Sequence, residues 1–210
     1  MRHPSTLLAC AVAIGCGGSG DGERAASAHV AGGEADERTP PGEPTEPAER
    51  ARAEAPLAEV PFPAATIRDA TPAGRTYVLQ FREAGVVRYE RWTFEEVDAR
   101  GFTSTSTPVT ETGEPAGPTE RGEGTWEDLE AHAHFPADAT EIRVATLALP
   151  LATFRCRLYT VTRPDDAGRV VVTRMWFADS LPGAPVRMVR ERDGEVVLEM
   201  QLHDHVPPIR

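Results

Sequence analysis

The chain changes character at about residue 60: from Gly17 to Val60 it is Gly, Ala, Pro, Glu and Arg with almost no large apolar side chain, whereas apolar residues later recur at every second position. The first stretch does not bury enough surface to offset the entropy of ordering its backbone, so it reads as a disordered tether. Pro40, Pro41, Pro44, Pro47 and Pro56, with ten acidic residues against four Arg in residues 16–60, favour an extended form. The alternation beyond Pro61 is the period of a half-buried strand. Residues 61–210 fall within the common size of a single domain.

Within that domain Thr76–Arg82 reads as a strand, Glu83-Ala84-Gly85 as a turn, and Val86–Val97 as a longer strand carrying Tyr89, Trp92 and Phe94. Asp98–Gly101 turns into a Ser/Thr-rich strand, Phe102–Thr110, and Glu111–Gly124 reads as a loop. Thr125 followed three residues later by Asp128 has capping-box spacing, and Trp126, Leu129 and Ala133 recur at helical intervals as far as Phe135-Pro136. That pattern predicts a helix of about two to three turns. In the last third Phe154, Cys156 and Leu158 alternate with Arg155 and Arg157. Val171, Met175 and Phe177 then share a face, Val186 and Met188 follow the loop Ser180–Pro185, and an Asp193-Gly194 hairpin leads into Val196, Leu198, Met200 and Leu202. The expected architecture is α+β, mainly antiparallel β: a curved meander sheet or incomplete barrel of about seven to eight strands with one helix.

Residues 1–15 carry a basic start and an apolar run, Leu7–Gly15, of about nine residues, against the roughly 20 that a membrane-spanning helix requires. They read as a signal peptide. Ala13-Ile14-Gly15 before Cys16 resembles the lipobox of bacterial lipoproteins, which implies lipid attachment at Cys16. Leu7-Leu8-Ala9-Cys10 fits the lipobox letters better but leaves too short an apolar core, and an ordinary secreted protein with a conventional cleavage site is the other reading of the segment. Stable anchoring requires more than one acyl chain, as bacterial lipoproteins carry. Gly17 is not the Asp that retains enteric lipoproteins, which this N-terminus resembles, in the inner membrane. The expected location is therefore the outer membrane, with the domain periplasmic or surface-exposed and the N-terminal lipid as the membrane contact. A lipidated Cys16 leaves Cys156 without an intramolecular partner, so no disulfide framework is expected.

Three segments, Thr125–Pro136, Leu149–Tyr159 and Trp176–Val186, resemble a group of bacterial envelope lipoproteins. In that group a W-x-x-L-x-x-H-A-x-F-P segment precedes a P-x-G-x-F-x-C strand and a W-F-A…P-G-x-P-V hairpin. Ala152 stands where that pattern has Gly. More loosely, one curved antiparallel sheet with a helix is similar to the LolA/LolB-like lipoprotein-carrier fold, which holds acyl chains in its concavity. That likeness implies an apolar groove and carries no individual residues across.

The net charge of −11 includes 23 acidic residues against 17 Arg in residues 61–210, which disfavours nucleic-acid binding. The chain has neither Lys nor Asn, which removes lysine catalysis and N-glycosylation. No G-x-S-x-G occurs, and the serines of the domain are Ser104, Ser106 and Ser180. Glu95-Glu96, Glu127-Asp128 and Asp165-Asp166 are adjacent carboxylates, for which solvated surface is the default. Cys156 sits mid-strand on an apolar face and reads as a small hydrophobe rather than a nucleophile.

Two His-x-His pairs, His132/His134 and His203/His205, would offer paired imidazoles to zinc or copper if both lay on strands. His132 and His134 fall in the expected helix, where positions two apart diverge by about 200°. Arg155, Arg157, Arg174, Arg187 and Arg190 imply either cross-strand Arg-Glu ladders or an anionic-ligand patch. Trp92, Trp126, Trp176, Phe177 and Met188 are the candidates to line a groove on the sheet. The domain is thus expected to be non-catalytic and without a cofactor, binding an apolar or amphiphilic ligand or an unidentified protein partner. A structural or interaction domain without ligand, and a histidine-based metal protein, are the alternatives.

Overall fold

The computed structural model describes residues 56–206; the signal peptide, Cys16 and the tether up to Ala55 lie outside the described residues. The elements are α1 (Ala64–Ala70), β1 (Thr76–Glu83), β2 (Val86–Val97), β3 (Gly101–Val109), β4 (Glu120–Thr125), α2 (Trp126–Ala131) and a short 3-10 turn (Ala137–Ala139). They continue with β5 (Thr140–Ala148), β6 (Thr153–Pro164), β7 (Val170–Ala178), β8 (Arg187–Arg192) and β9 (Glu195–Val206).

All nine strands form one antiparallel sheet in the order β4-β3-β2-β1-β9-β8-β7-β6-β5. Two meanders, β1–β4 and β5–β9, are joined where the first strand pairs with the last, and the sheet stays open between β4 and β5. The expected class, a curved open antiparallel sheet with few helices, is the one observed. Among the described residues there are nine strands and two helices rather than seven to eight strands and one helix. β4 carries no large apolar side chain and was hidden in the expected loop; its charged, glycine-containing sequence suits an edge. α1 presents a single buried apolar residue, Ile67, too little for a helical period.

Hairpin chemistry is local. Ala84-Gly85 and Asp193-Gly194 both take positive φ at their two central residues (48° and 80°, 50° and 84°), the primed turn that matches strand twist. Thr125 caps α2 as its spacing implied: its hydroxyl accepts from the Asp128 amide, and the Asp128 carboxylate accepts from the Thr125 amide. The helix ends at Ala131, shorter than expected, and His132 to Phe135 lie beyond it.

The register sorts side chains into two cross-strand rows. One runs Tyr159–Met175–Met188–Met200–Phe81, each at most 2% exposed, and forms the middle of the core. The next row, on the opposite face, runs Leu158–Trp176–Arg187–Gln201–Gln80–Tyr89. β6 departs from the one-faced pattern: Phe154, Cys156 and Leu158 are buried, and so are Tyr159 and Val161 at the alternate positions. Arg157, expected to point outward, shares the parity of Tyr159. Its guanidinium lies 5.1 Å from the centre of the Phe62 ring, and it is paired with Glu59.

The packed unit begins before residue 61. Ala58 donates to the Phe135 carbonyl, Ala137 to that of Pro56, and the Tyr159 hydroxyl to that of Glu59 at 2.8 Å. The last residues of the expected tether thus belong to the domain.

Candidate ligand cavity beneath the helices

α1, α2 and the loop from Asp179 to Val186 lie over the Met175–Met188 face of the sheet, and their apolar side chains point into it. Ile67, Leu129 and Phe62 face Met175, Phe177 and Met188 around one cavity of about 50 Å³. A second, also of about 50 Å³, lies among Tyr77, Leu79, Phe94 and Leu202. The two share Ile67, Trp92, Leu129 and residues 183–185 as lining, so they are neighbours under one cover. Drug-sized ligands occupy pockets of about 300–1,000 Å³, so a chain-like occupant requires the cover to lift.

Polar contacts tie α1 to α2 and to the segment that leads into β1. α1 has no side-chain cap; instead the Ala64 amide donates to Glu130 Oε2 on α2 at 2.6 Å. Glu130 Oε1 stands 3.6 Å from His134 Nε2. At the other end of α1, Arg75 Nη1 donates to the Ala70 carbonyl.

Of the expected groove residues, Trp92, Phe177 and Met188 line this space. Trp92 is held by its Nε1, which donates to Glu90 Oε1 at 2.7 Å, and the hydroxyl of Ser106 donates to the same carboxylate oxygen. Trp126 does not line it: it is 2% exposed, stacks on Phe102 with centroids 4.9 Å apart, and donates to the Asp98 carbonyl, pinning α2 to the β2–β3 turn. Trp176 sits between Met175 and Phe177 and so faces the other way, with the Arg187 guanidinium 5.5 Å from its ring centre.

The histidines do not converge. His203 is the extra residue of a β-bulge: Leu202 pairs with Leu79 and Asp204 with Val78, leaving His203 unopposed. The bulge breaks the two-residue alternation, so His203 packs on Tyr89 and reaches the Glu111 carbonyl, while His205 packs on Tyr77, which lines the second cavity. His132 lines the first cavity and its Nδ1 is buried without a hydrogen-bond partner; His134 is exposed. Among the described residues no cluster of three or more His, Cys, Asp or Glu side chains has metal-binding geometry.

On the opposite face the arginines form ladders: Arg187 donates to Glu199 at 2.6 Å and Arg174 to Glu191. Gln201, Gln80 and Tyr89 continue as a hydrogen-bonded chain. The segment after β3 folds back over this face, where Arg91 donates to the Gly113 carbonyl. A surface depression near α2 is bounded by Asp98 and Asp128, both engaged locally; backbone donors at Gly101 and Arg100 hold the Asp98 carboxyl below its usual pKa. Cys156 is wholly buried and its thiol is pushed up to about 11, by burial first and Asp179 second. It is an inert thiol in this environment.

No protein-family model matches the chain, and no curated protein matches it.

Of the elements that make the cover, sequence reasoning found α2 and the loop before Val186 and missed α1. α1 left one signal, the Pro63 and Pro72 that bracket Ala64–Ala70, where a proline start and a proline stop flank a helix-favouring run. Arg75 left none.

Proposed function

We propose that the chain is a non-catalytic lipoprotein of the bacterial envelope, anchored in the outer membrane through lipid on Cys16 and carried on a tether. In this reading its domain holds an apolar or amphiphilic ligand between the sheet and the helices α1 and α2. The observation that supports it is the pair of adjoining apolar cavities under the cover that α1, α2 and the loop from Asp179 to Val186 form. The domain lies in the periplasm or at the cell surface, and the acidic composition of residues 16–60 keeps it at a distance from the bilayer.

A second reading, an interaction domain that carries no ligand, is favoured by one observation: each cavity measures only about 50 Å³. Native mass spectrometry of the purified full-length protein separates the two. Adducts of lipid mass that persist in a C16S variant support ligand binding. A clean apo mass, together with no uptake of an apolar fluorescent probe, leaves the interaction reading. Incorporation of labelled palmitate that is lost in C16S tests the anchor, and incorporation that persists in C16S overturns it.

A further inference from the structure

On the covered face of the sheet Arg75 stands without an ion pair among the described residues. Arg75 is 7% exposed; apart from the Ala70 carbonyl its neighbour is Tyr77, whose ring centre lies 5.2 Å from the guanidinium carbon, and its Nε is buried without a hydrogen-bond partner. Among the described residues the ion pairs engage other cations, and no carboxylate lies within pairing distance of Arg75. A buried guanidinium without counter-charge is costly, and its planar donors suit a carboxylate or phosphate oxygen.

His205 provides a second orphan at the same place. Its Nε2 is buried without a partner, and its ring centroid is 5.3 Å from that of Tyr77, its cross-strand neighbour in the β1–β9 pairing. Burial, and then Arg75, hold the imidazole below its ordinary pKa against the opposing pull of Asp204. Tyr77 joins these groups to the cavities, since it packs against Arg75 and His205 and also lines the second cavity. From Tyr77 the apolar lining continues past Trp92 and Leu129 to Met188. The domain is acidic overall, so a cation pocket here acts by local contact and not by long-range attraction.

Resting on the ligand-binding reading above, we propose that the ligand is an anionic single-chain amphiphile, a long-chain carboxylate or a monoacyl phosphate. Its head group is bound by Arg75 and His205, and its alkyl chain lies in the paired cavities beneath α1 and α2. Because Arg75 also holds the last carbonyl of α1, head-group capture and lifting of the cover act on one side chain.

The test measures affinities of the full-length chain carrying C16S for palmitate, palmitoyl lysophosphatidic acid, hexadecanol and inorganic phosphate, by displacement of an apolar fluorescent probe and by calorimetry. The anionic chains should bind about tenfold or more tightly than hexadecanol, as a charge-assisted pair contributes. R75Q and H205Q should each reduce that preference, read as the ratio of palmitate to hexadecanol affinity within each variant, because R75Q also releases the Ala70 carbonyl and shifts the affinity of every chain. H205Q, at a half-buried position, keeps the test decisive if R75Q does not fold. A preference for palmitate assigns a carboxylate head, and the reverse a phosphate head. Equal binding of hexadecanol and palmitate, or a preference surviving both substitutions, overturns the head-group site and leaves the apolar-ligand reading standing. Absence of binding by every long chain overturns both, whether or not inorganic phosphate binds.

Discussion

Glu130→Ala isolates the fastening of the cover. α1 is seven residues long, buries one large side chain, Ile67, and begins at Pro63 without a side-chain cap. Its first amide, at Ala64, is satisfied by a carboxylate 66 residues away, at 2.6 Å. A hydrogen bond to a charged group contributes about 1.5–3 kcal/mol. The Glu130 side chain is 28% exposed, so water replaces part of the loss, which brings the expected cost to about 1–2 kcal/mol of local stability. That is roughly a 5–30-fold rise in the open population of α1. Hydrogen exchange followed by mass spectrometry reads it directly: the amides of Ile67 and Thr71, bonded to Pro63 and Arg68, should exchange faster by that factor. Strands β6 to β9 should keep their protection. E130Q, which retains an acceptor, should fall between. Exchange of α1 in E130A that matches the unsubstituted protein would refute the idea that this contact holds the cover down.

Other perturbations test the packing. Ala84→Asn should raise stability by about 0.5–1 kcal/mol in urea unfolding, because Ala84 sits at φ 48°, a region that Asn tolerates better than Ala; a drop in midpoint would contradict this. Gly124→Ala should cost about 1–3 kcal/mol and perturb the near-ultraviolet signal of Trp126, since the added Cβ would lie 2.8 Å from the Phe102 ring that stacks on it; an unchanged melt would count against the assigned β3–β4 register. Cys156 should resist thiol reagents in the folded protein. Its folded pKa of about 11 lies above the unfolded value of ~8.5, so the fold retains a proton that the unfolded chain releases. Its contribution is fully present below the unfolded pKa and declines as pH rises toward 11, a slope that C156A should remove from pH-dependent unfolding.

Much of the fold was legible because it is written in short-range chemistry. The bounds of β2 follow from its β-favouring residues, Tyr89, Trp92 and Phe94 among them, between the Ala84-Gly85 and Asp98–Gly101 turns, and the start of α2 from Thr125 and Asp128 three residues apart. β4 was not legible, because a polar edge strand gains its hydrogen bonds from a neighbour that only the assembled sheet supplies. Residues 56–62 cross the Tyr159 side of β6, while Phe154, Cys156 and Leu158 are buried at the alternate positions, so alternation underestimates its burial. Of the five groove candidates, side-chain size alone did not separate Trp92, which lines the cavities, from Trp126, whose indole is spent on the Asp98 carbonyl, or from Trp176, on the other face.

The sequence by itself determined where a packed domain is possible, that its strands are antiparallel and hairpin-linked, and where the capped helix begins. These follow from side-chain period, turn residues and composition, which act over a few positions. Tertiary structure decided which strands meet. The pairing of the first strand with the last brings Tyr77 against His205, residues far apart in the chain, and the bulge at His203 undoes the spacing that made a histidine pair look like one site. Register between distant strands is a sum of many weak packing terms over the whole sheet, and no local stretch of sequence contains it.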